Sequence, residues 1–437
     1  MARVISAPAL SASVDVKASR AALVFALGEV FLAAYIVIGF GAYQINGTMP
    51  NLALGLLGAG ILFLAPKQAV WKMPFNGLMF LWAGWMATTY FWSVDIFKTS
   101  HYLRFELLQV LGALGCAAVL PLRRFKRGLL CGMYAAVTIT YFGIATSAAA
   151  RTQYDPVTGA VALHGWHGFF LHKNDMAPFL DVALAAVWCF EESRRVKRIF
   201  TVAVLVLLAN AASATGLSAL MVLIVGWYWL KRLAKETSYK RLSFMLFSLL
   251  GLGGLVAVGI GVLPAIVNLY GKDTTFSGRV YIWRAVTWAI GRQPIFGYGR
   301  AAVFNNGSIG PTQAIAARVG FEPAHAHNAF LEAWLETGIV GAVLFVMAFF
   351  DAFGRAWRRL NDRTEVASWG VLTLLVILAI AFSEVPVFGI WMSLIGMVGM
   401  LCSRHLDDDD PFVYGAWVAP AVARRRALGN ESGSQRG

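Results

Sequence analysis

Long apolar runs separated by short polar breaks recur along the whole chain. A helix needs about 20 mostly apolar residues to cross roughly 30 Å of hydrocarbon. On this criterion the pattern predicts about twelve membrane-spanning helices, some of them short. Their centres lie at residues 21–40, 51–65, 75–92, 104–120, 128–149, 172–190, 199–213, 217–230, 244–267, 329–350, 366–384 and 387–403.

The runs at 199–213 and 217–230 are the weakest of these predictions, because they fit either two helices or one bent span. A single span would reverse the orientation of everything downstream. The number of spans in this region therefore stays open at the level of sequence.

Composition supports the same class of protein. Of the 437 residues, 58% are hydrophobic and only 14% are charged, and the mean hydropathy is +0.64, which excludes an ordinary soluble globular protein. We predict an all-α polytopic integral membrane protein with a single membrane domain over residues 1–437. Within it, residues 268–325 form a large outer loop with short interfacial helices, and residues 404–437 form a tail.

Charge predicts the orientation of this domain. Basic clusters occur in alternate connections, at RRFKR (123–127), RRVKR (194–198), KRLAKETSYKR (231–241) and RAWRRLNDR (355–363). Lys and Arg collect on the cytoplasmic side of short loops. Both termini are therefore predicted to be cytoplasmic and the 268–325 loop periplasmic. The net charge of +14 follows from this topology and needs no nucleic-acid partner.

The stretch EPAHAHNAFLEAWLETGIVG (322–341) places titratable groups at the start of a span. Asn328 is predicted to cap a helix on which Glu332 and Glu336 lie on the same stripe. His325 and His327 could bind a metal, but no third ligand at diagnostic spacing accompanies them, so we predict no metal here. A histidine acting as general base suits the pattern better, because its pKa lies near working pH.

The segment TFSGRVYIWRAVTWAIGRQPIFGYGR (275–300) is predicted to contain a short helix capped by Ser277 and ending near Gly291. Arg279 stands at the helix start, where backbone N–H groups favour an anion, and its guanidinium could hold a phosphate bidentately. The GYG turn presents Arg300 as a second candidate.

The rest of that helix has a different predicted role. Tyr281, Arg284, Trp288 and Arg292 recur at helical spacing, and we predict that this face lies along the lipid headgroups.

Other polar residues stand at predicted outward helix ends. His172, Lys173 and Asn174 begin one such helix, where Lys173 either binds a phosphate or anchors the helix at the interface. Glu384, at the outward end of an apolar span, is predicted to line the same cavity as the histidines. Arg104 and Glu106 are interpreted as an ion pair with each other.

Several of these motifs resemble one membrane protein family. HAHNAFLEAWLETGIVG (325–341) is similar to the signature of the O-antigen ligase and Wzy-type polysaccharide polymerase superfamily. SGRVYIWRAVTWAIGRQPIFGYG (277–299) resembles its arginine-bearing outer-loop element. GFFLHKNDMA (168–177) resembles the His-Lys-Asn element of the ExoQ-like exopolysaccharide polymerase branch. SATG (213–216) occupies the place of a Ser-rich element that often carries Arg or Lys, and Ala214 departs from that pattern.

The resemblance implies glycosyl transfer on the outer face of a bacterial cytoplasmic membrane. The donor would be an oligosaccharide on a polyprenyl pyrophosphate, such as undecaprenyl pyrophosphate, and no cofactor, nucleotide sugar or metal would be needed. Membrane lipid, a chain-length regulator and export proteins are the implied partners.

The resemblance also implies roles for individual residues. Arg279 would hold the pyrophosphate, with help from Arg300. His327 or His325 would deprotonate the acceptor hydroxyl, and which of them does so stays open. Glu336 or Glu332 would orient that histidine. Further candidates for substrate binding are His172, Lys173, Asn174, Asn328 and Glu384.

Three functions follow from these features. The His-Lys-Asn element favours polymerisation of lipid-linked repeat units. The alternative within the family is an O-antigen ligase that transfers the glycan to lipid A–core. A transporter or flippase for lipid-linked oligosaccharides ranks lower, because the chain has no evident repeat and its outward cations collect in one loop.

Overall fold

A computed structural model describes residues 7–41, 48–65, 76–154, 161–162, 165–233, 279–304, 310–362 and 364–404. The predicted helix at 244–267, Ser277 and the tail beyond Arg404 lie outside these ranges. The described helices are α1 (Ala7–Gly41), α2 (Thr48–Leu64), α3 (Gly77–Thr88), α4 (Ile96–Val119), α5 (Leu122–Thr146), α6 (Lys173–Phe190), α7 (Arg194–Ala211), α8 (Ala214–Leu233), α9 (Arg279–Ile290), α10 (Gly310–Val319), α11 (Ala329–Arg359), α12 (Glu365–Ala381) and α13 (Ile390–Leu401). Short 3₁₀ turns occupy Thr89–Phe91, Ala149–Arg151 and Leu360–Asp362. Strands β1 (Gln153–Tyr154) and β2 (Val161–Ala162) form one small antiparallel pair.

The predicted class, a helical multi-pass membrane protein, is confirmed. Five segments of the described residues are long and apolar enough to cross a membrane: Arg20–Gly41, Ile96–Val119, Leu122–Thr146, Ala214–Leu233 and Ala329–Asp362. Shorter apolar helices accompany them, at Pro50–Leu64, Glu365–Ala381 and Ile390–Leu401. The total of twelve spans and the periplasmic position of the 268–325 loop stay predictions.

Helices α7 and α8 are two separate helices that run in opposite directions. At one end, Trp188 of α6 donates a hydrogen bond to Thr201 of α7 (3.0 Å), and its ring lies 5.5 Å from the ring of Trp227 of α8. At the other end, Ser213, between α7 and α8, donates to Asn174 in the first turn of α6 (2.8 Å). Helix α7 therefore runs back along α6, and α8 runs in the same direction as α6. Two antiparallel helices do not form one bent span, so that alternative is wrong.

A break in α11 lets the GYG segment (297–299) pack directly against the backbone of this helix. Gly338 has φ +69° inside the helix, and a Cβ there would lie 1.9 Å from the carbonyl oxygen of Ile295. The break frees the carbonyl of Leu335, which accepts from the backbone N–H of Tyr298 (2.9 Å). Gly297, also at φ +69°, makes the approach possible. The predicted tight turn at GYG is confirmed.

The helix predicted between Ser277 and Gly291 is present as α9. Its apolar face packs against α10 and α11 through the buried residues Ile282, Val286 and Ala289. Tyr281 and Arg284 lie on the opposite, exposed face, which stays predicted to lie along the lipid headgroups.

The described helices have two kinds of end, one rich in histidine and the other rich in arginine. Helix α11 begins after Asn328 and ends with Arg358 and Arg359. Helix α6 begins after His172, and its far end connects to the basic start of α7 at Arg194. The histidine-rich ends and the arginine-rich ends therefore lie on opposite sides of the bundle.

Candidate functional site

Glu384 is the centre of the candidate site. Arg279, the first residue of α9, donates from Nη2 to Oε1 of Glu384 (2.8 Å). Nδ1 of His327 lies 3.2 Å from the other oxygen, Oε2. Sequence analysis placed Glu384 within a span, but α12 ends at Ala381, and Glu384 lies in the following connection. The predicted proximity of Glu384 to the histidines is confirmed.

The side chains of the site are mostly buried, but each keeps a small exposed fraction. The side chain of Glu384 is 9% exposed, that of Arg279 17% and that of His327 24%. Burial raises the pKa of Glu384, but the hydrogen bond from His327 and the electrostatic effects of His325, His327 and Arg279 outweigh it, so the pKa lies below the usual value. Glu384 is therefore an ionised carboxylate that can only accept hydrogen bonds.

That constraint assigns the tautomer of His327. Because the carboxylate of Glu384 only accepts, Nδ1 of His327 carries a proton, which leaves Nε2 as the ring nitrogen that can accept one. His327 also has φ 51°, an uncommon backbone conformation for a residue with a side chain. This arrangement of carboxylate and imidazole is one that prepares a histidine to accept a proton.

His325 has a different set of contacts. Its ring centroid lies 3.9 Å from that of His327, and its Nδ1 accepts from the backbone N–H of His327 (3.2 Å). Burial, together with the nearby charge of His327, lowers the pKa of His325 to about 3. His325 is therefore a neutral ring whose Nδ1 lone pair is already used within the loop.

The helix-borne glutamates contact the loop and an arginine. Asn328 caps α11 as predicted, since its side chain accepts from the N–H groups of Phe330 and Leu331. Glu332 accepts from the N–H of Ala326 (2.6 Å) and so holds the backbone between the two histidines. Glu336 pairs with Arg300 instead. The carboxylate that contacts His327 is neither of these but Glu384.

Arg300 occupies a second, more enclosed cluster. Both oxygens of Glu106 accept from it, one of them from Nε at 2.9 Å, and Glu336 accepts from Nη1 at 2.8 Å. The guanidinium also lies 4.0 Å from the ring centroid of Phe388. The predicted pairing of Glu106 with Arg104 was wrong, because the segment after α9 brings Arg300 to Glu106 and Arg104 is exposed.

The His-Lys-Asn element adjoins the SATG element. His172 caps α6, with Nδ1 accepting from the N–H of Asn174 (3.0 Å), while the side-chain oxygen of Asn174 accepts from Ser213. Burial lowers the pKa of His172 to about 4. Lys173 is half-buried at the start of α6.

Thr215 connects these elements to Glu384. Its hydroxyl lies 3.2 Å from that of Ser383 and 3.5 Å from Oε1 of Glu384. Sequence analysis did not select Thr215 as a site residue, and a hydroxyl in an apolar helix carries no distinctive signal. Glu106 did carry one, since an ionisable residue in an apolar run is a functional candidate.

The structure also supplies a third possible metal ligand. His325, His327 and Glu384 each offer one ligand atom, and these atoms lie within 4.8 Å of one another. Sequence spacing hid this group, because Glu384 lies 57 residues beyond His327.

Two comparisons with known proteins indicate the family that this chain resembles. A family model described as O-antigen ligase matches residues 198–346. The predicted resemblance is confirmed. The exopolysaccharide production protein ExoQ of Rhizobium meliloti (strain 1021) is 28% identical over 348 residues, covering 72% of this chain and 74% of its own length. The family and this relative support membrane glycosyl transfer in polysaccharide synthesis.

Proposed function

We propose that this protein transfers a glycan from a polyprenyl pyrophosphate to a hydroxyl group of a second lipid-linked repeat unit, and so polymerises an exopolysaccharide. The observation that carries the proposal is the convergence of Arg279 and His327 on the carboxylate of Glu384. These residues bring an anion-binding group and a proton acceptor to one place.

The acceptor side of the reaction uses His327. Nε2 takes the proton from the acceptor hydroxyl as its oxygen bonds to the anomeric carbon of the donor. Glu384 holds the imidazole through Nδ1 and stabilises the imidazolium that forms. The proton then leaves to the departing pyrophosphate or to water. A single displacement of this kind inverts the anomeric carbon.

The donor side uses Arg279. The bond from the anomeric carbon to the pyrophosphate oxygen breaks, and negative charge collects on that oxygen. Only Nη2 of Arg279 is engaged with Glu384, so its other N–H groups can bind the leaving group. The neighbouring helix starts carry four further residues that are proposed to contact the substrate: Lys173, His172, Asn174 and Asn328.

Arg300 is proposed to act at a distance. Its contacts with Glu106 and Glu336 join the GYG segment to α4 and α11, so that Arg300 positions the outer segment that carries Arg279.

The outer face is proposed as the side of transfer. The site lies at the helix ends opposite the arginine-rich ends, and the distribution of basic residues favours a cytoplasmic position for the latter. A lipid-linked donor would then present its headgroup beside Arg279 at the water–lipid boundary.

An assay of purified protein tests the mechanism. A strain lacking the gene should accumulate the lipid-linked repeat unit, which can be isolated and supplied to the protein in nanodiscs. Replacing His327 by Gln should lower the rate of chain growth by roughly 10²–10⁴-fold, and Glu384→Gln should also lower it strongly. Arg284→Gln, on the exposed face of α9, is the matched control. A His327→Gln protein with normal activity would remove the proposed base.

The ligase is the second candidate, because the matching family model is described as O-antigen ligase. The deletion strain separates the two. A polymerase mutant should lose high-molecular-weight secreted polysaccharide and keep intact lipopolysaccharide. Persistence of the secreted polymer with loss of the O-chain from lipid A–core would establish the ligase instead.

A further inference from the structure

His327 and Glu384 already have the separation of two ligands on one metal ion. Ligands that lie 2.0–2.1 Å from a tetrahedral zinc ion stand about 3.3 Å apart. Nδ1 of His327 and Oε2 of Glu384 are 3.2 Å apart, and His325, His327 and Glu384 each offer one ligand atom within 4.8 Å of the other two. A rotation of the His325 side chain would close the group around one ion.

The donor set also suits a particular class of ion. Two imidazoles and a carboxylate are ligands for zinc, with a fourth position left for water. Hard ions such as Mg²⁺ prefer oxygen ligands and an octahedral arrangement, which this group does not offer.

Neighbouring backbone and helix contacts hold the ligands together. Glu332 fixes the loop between the two histidines through the N–H of Ala326, and Trp283 of α9 donates to the carbonyl of the same residue (3.1 Å). Thr215 contacts Glu384 from the opposite side. Such outer contacts orient metal ligands as well as catalytic groups.

We propose that His325, His327 and Glu384 form a binding site for one divalent transition-metal ion of the zinc class, and that occupancy of this site blocks transfer. Metal binding replaces the proton on Nδ1 of His327 and occupies Oε2 of Glu384. His327 then loses the carboxylate that orients it. The bound cation also adds positive charge beside Arg279 and competes with Arg279 for Glu384.

The test measures binding of Co²⁺ to purified full-length protein that carries no polyhistidine tag. Co²⁺ reports a low-symmetry nitrogen and oxygen site by its visible absorption, and Zn²⁺ should displace it. We expect one Co²⁺ ion per chain in the unmodified protein. His325→Ala and Glu384→Gln should each lose this absorption. His101→Ala is the matched control, because His101 is exposed and lies outside the ligand group.

Arg279 provides a second variant with the opposite expectation. Removing its positive charge frees Oε1 of Glu384, so Arg279→Gln should bind Co²⁺ about tenfold more tightly. A simple loss of folding would weaken binding in every variant, whereas this change strengthens it.

Inhibition is measured separately from binding. Zn²⁺ should abolish chain growth at the concentration that displaces Co²⁺, and a chelator should restore it. Absence of a stoichiometric Co²⁺ signal in active protein would overturn the metal site and leave the transfer mechanism standing. A Co²⁺ signal that persists in both Glu384→Gln and His325→Ala would overturn the assignment of the ligands. Binding without inhibition would overturn the proposed block.

Discussion

Two arginines of the predicted outer loop differ in their carboxylate partners and in the exposure of their side chains. Arg279 shares the single carboxylate of Glu384 with His327, and its side chain is 17% exposed. Arg300 lies between two carboxylates, from Glu106 and Glu336, and its side chain is 10% exposed. The resemblance implied that both bind the pyrophosphate. Their different partners favour the different roles that we propose for them.

The charge count in each cluster explains the difference. Around Arg300, two carboxylates already contact one guanidinium, so an incoming anion has to compete with both of them. Around Arg279, the charged contact among the described residues is one carboxylate, Glu384, which also contacts the imidazole of His327. We therefore propose that the pyrophosphate binds at Arg279, which has fewer acidic contacts among the described residues than Arg300. An arginine can thus be proposed as an anion ligand only after its carboxylate partners in the folded protein are known.

The largest expected effect is on stability, in the Arg300 cluster. Replacing Arg300 by Met leaves Glu106 and Glu336 buried without their cation, which should cost about 3–5 kcal/mol. The apparent melting temperature of the purified protein should fall steeply, measured by loss of the monodisperse peak on size exclusion after heating. Normal stability together with lost transfer would instead make Arg300 a donor ligand.

Arg279→Gln should have the reverse profile. The rate of transfer should fall by roughly 10²–10³-fold, the cost of removing one charge-stabilising donor. The melting temperature should change little, because Arg279 is more exposed and has one charged contact among the described residues. Arg279→Lys should not restore the rate, since lysine keeps the charge but lacks the bidentate fork. Full activity of the lysine variant would reduce Arg279 to a point charge.

The smallest expected effect concerns Thr215. Its hydroxyl lies 3.5 Å from Glu384 and 3.2 Å from the hydroxyl of Ser383, so Thr215→Val removes these two hydrogen bonds and keeps the shape of the side chain. A loss of about 0.5–1 kcal/mol corresponds to a two- to fivefold slower transfer, measured in the same assay. A loss above a hundredfold would mean that Thr215 contacts the substrate directly.

Local features of the fold were predictable because they depend on neighbouring residues. Apolar runs predicted α1, α2 and α11, since crossing a membrane requires length and hydropathy alone. The cap at Asn328 and the turn at GYG follow from side-chain and backbone chemistry within a few residues. The same local chemistry placed Arg279 at the start of a helix. The motif order was enough to indicate the family.

Partners across the bundle were decided only by the tertiary structure. Arg279 and Glu384 are 105 residues apart, and Arg300 and Glu106 are 194 apart. Helical periodicity specifies which face of a helix is apolar, but not which other helix that face meets. The pairing of a carboxylate with a histidine or an arginine depends on that packing. The sequence by itself therefore determined the class, the local caps and turns and the candidate residues. Tertiary packing decided which carboxylate each basic group contacts, because these contacts join residues that are far apart along the chain.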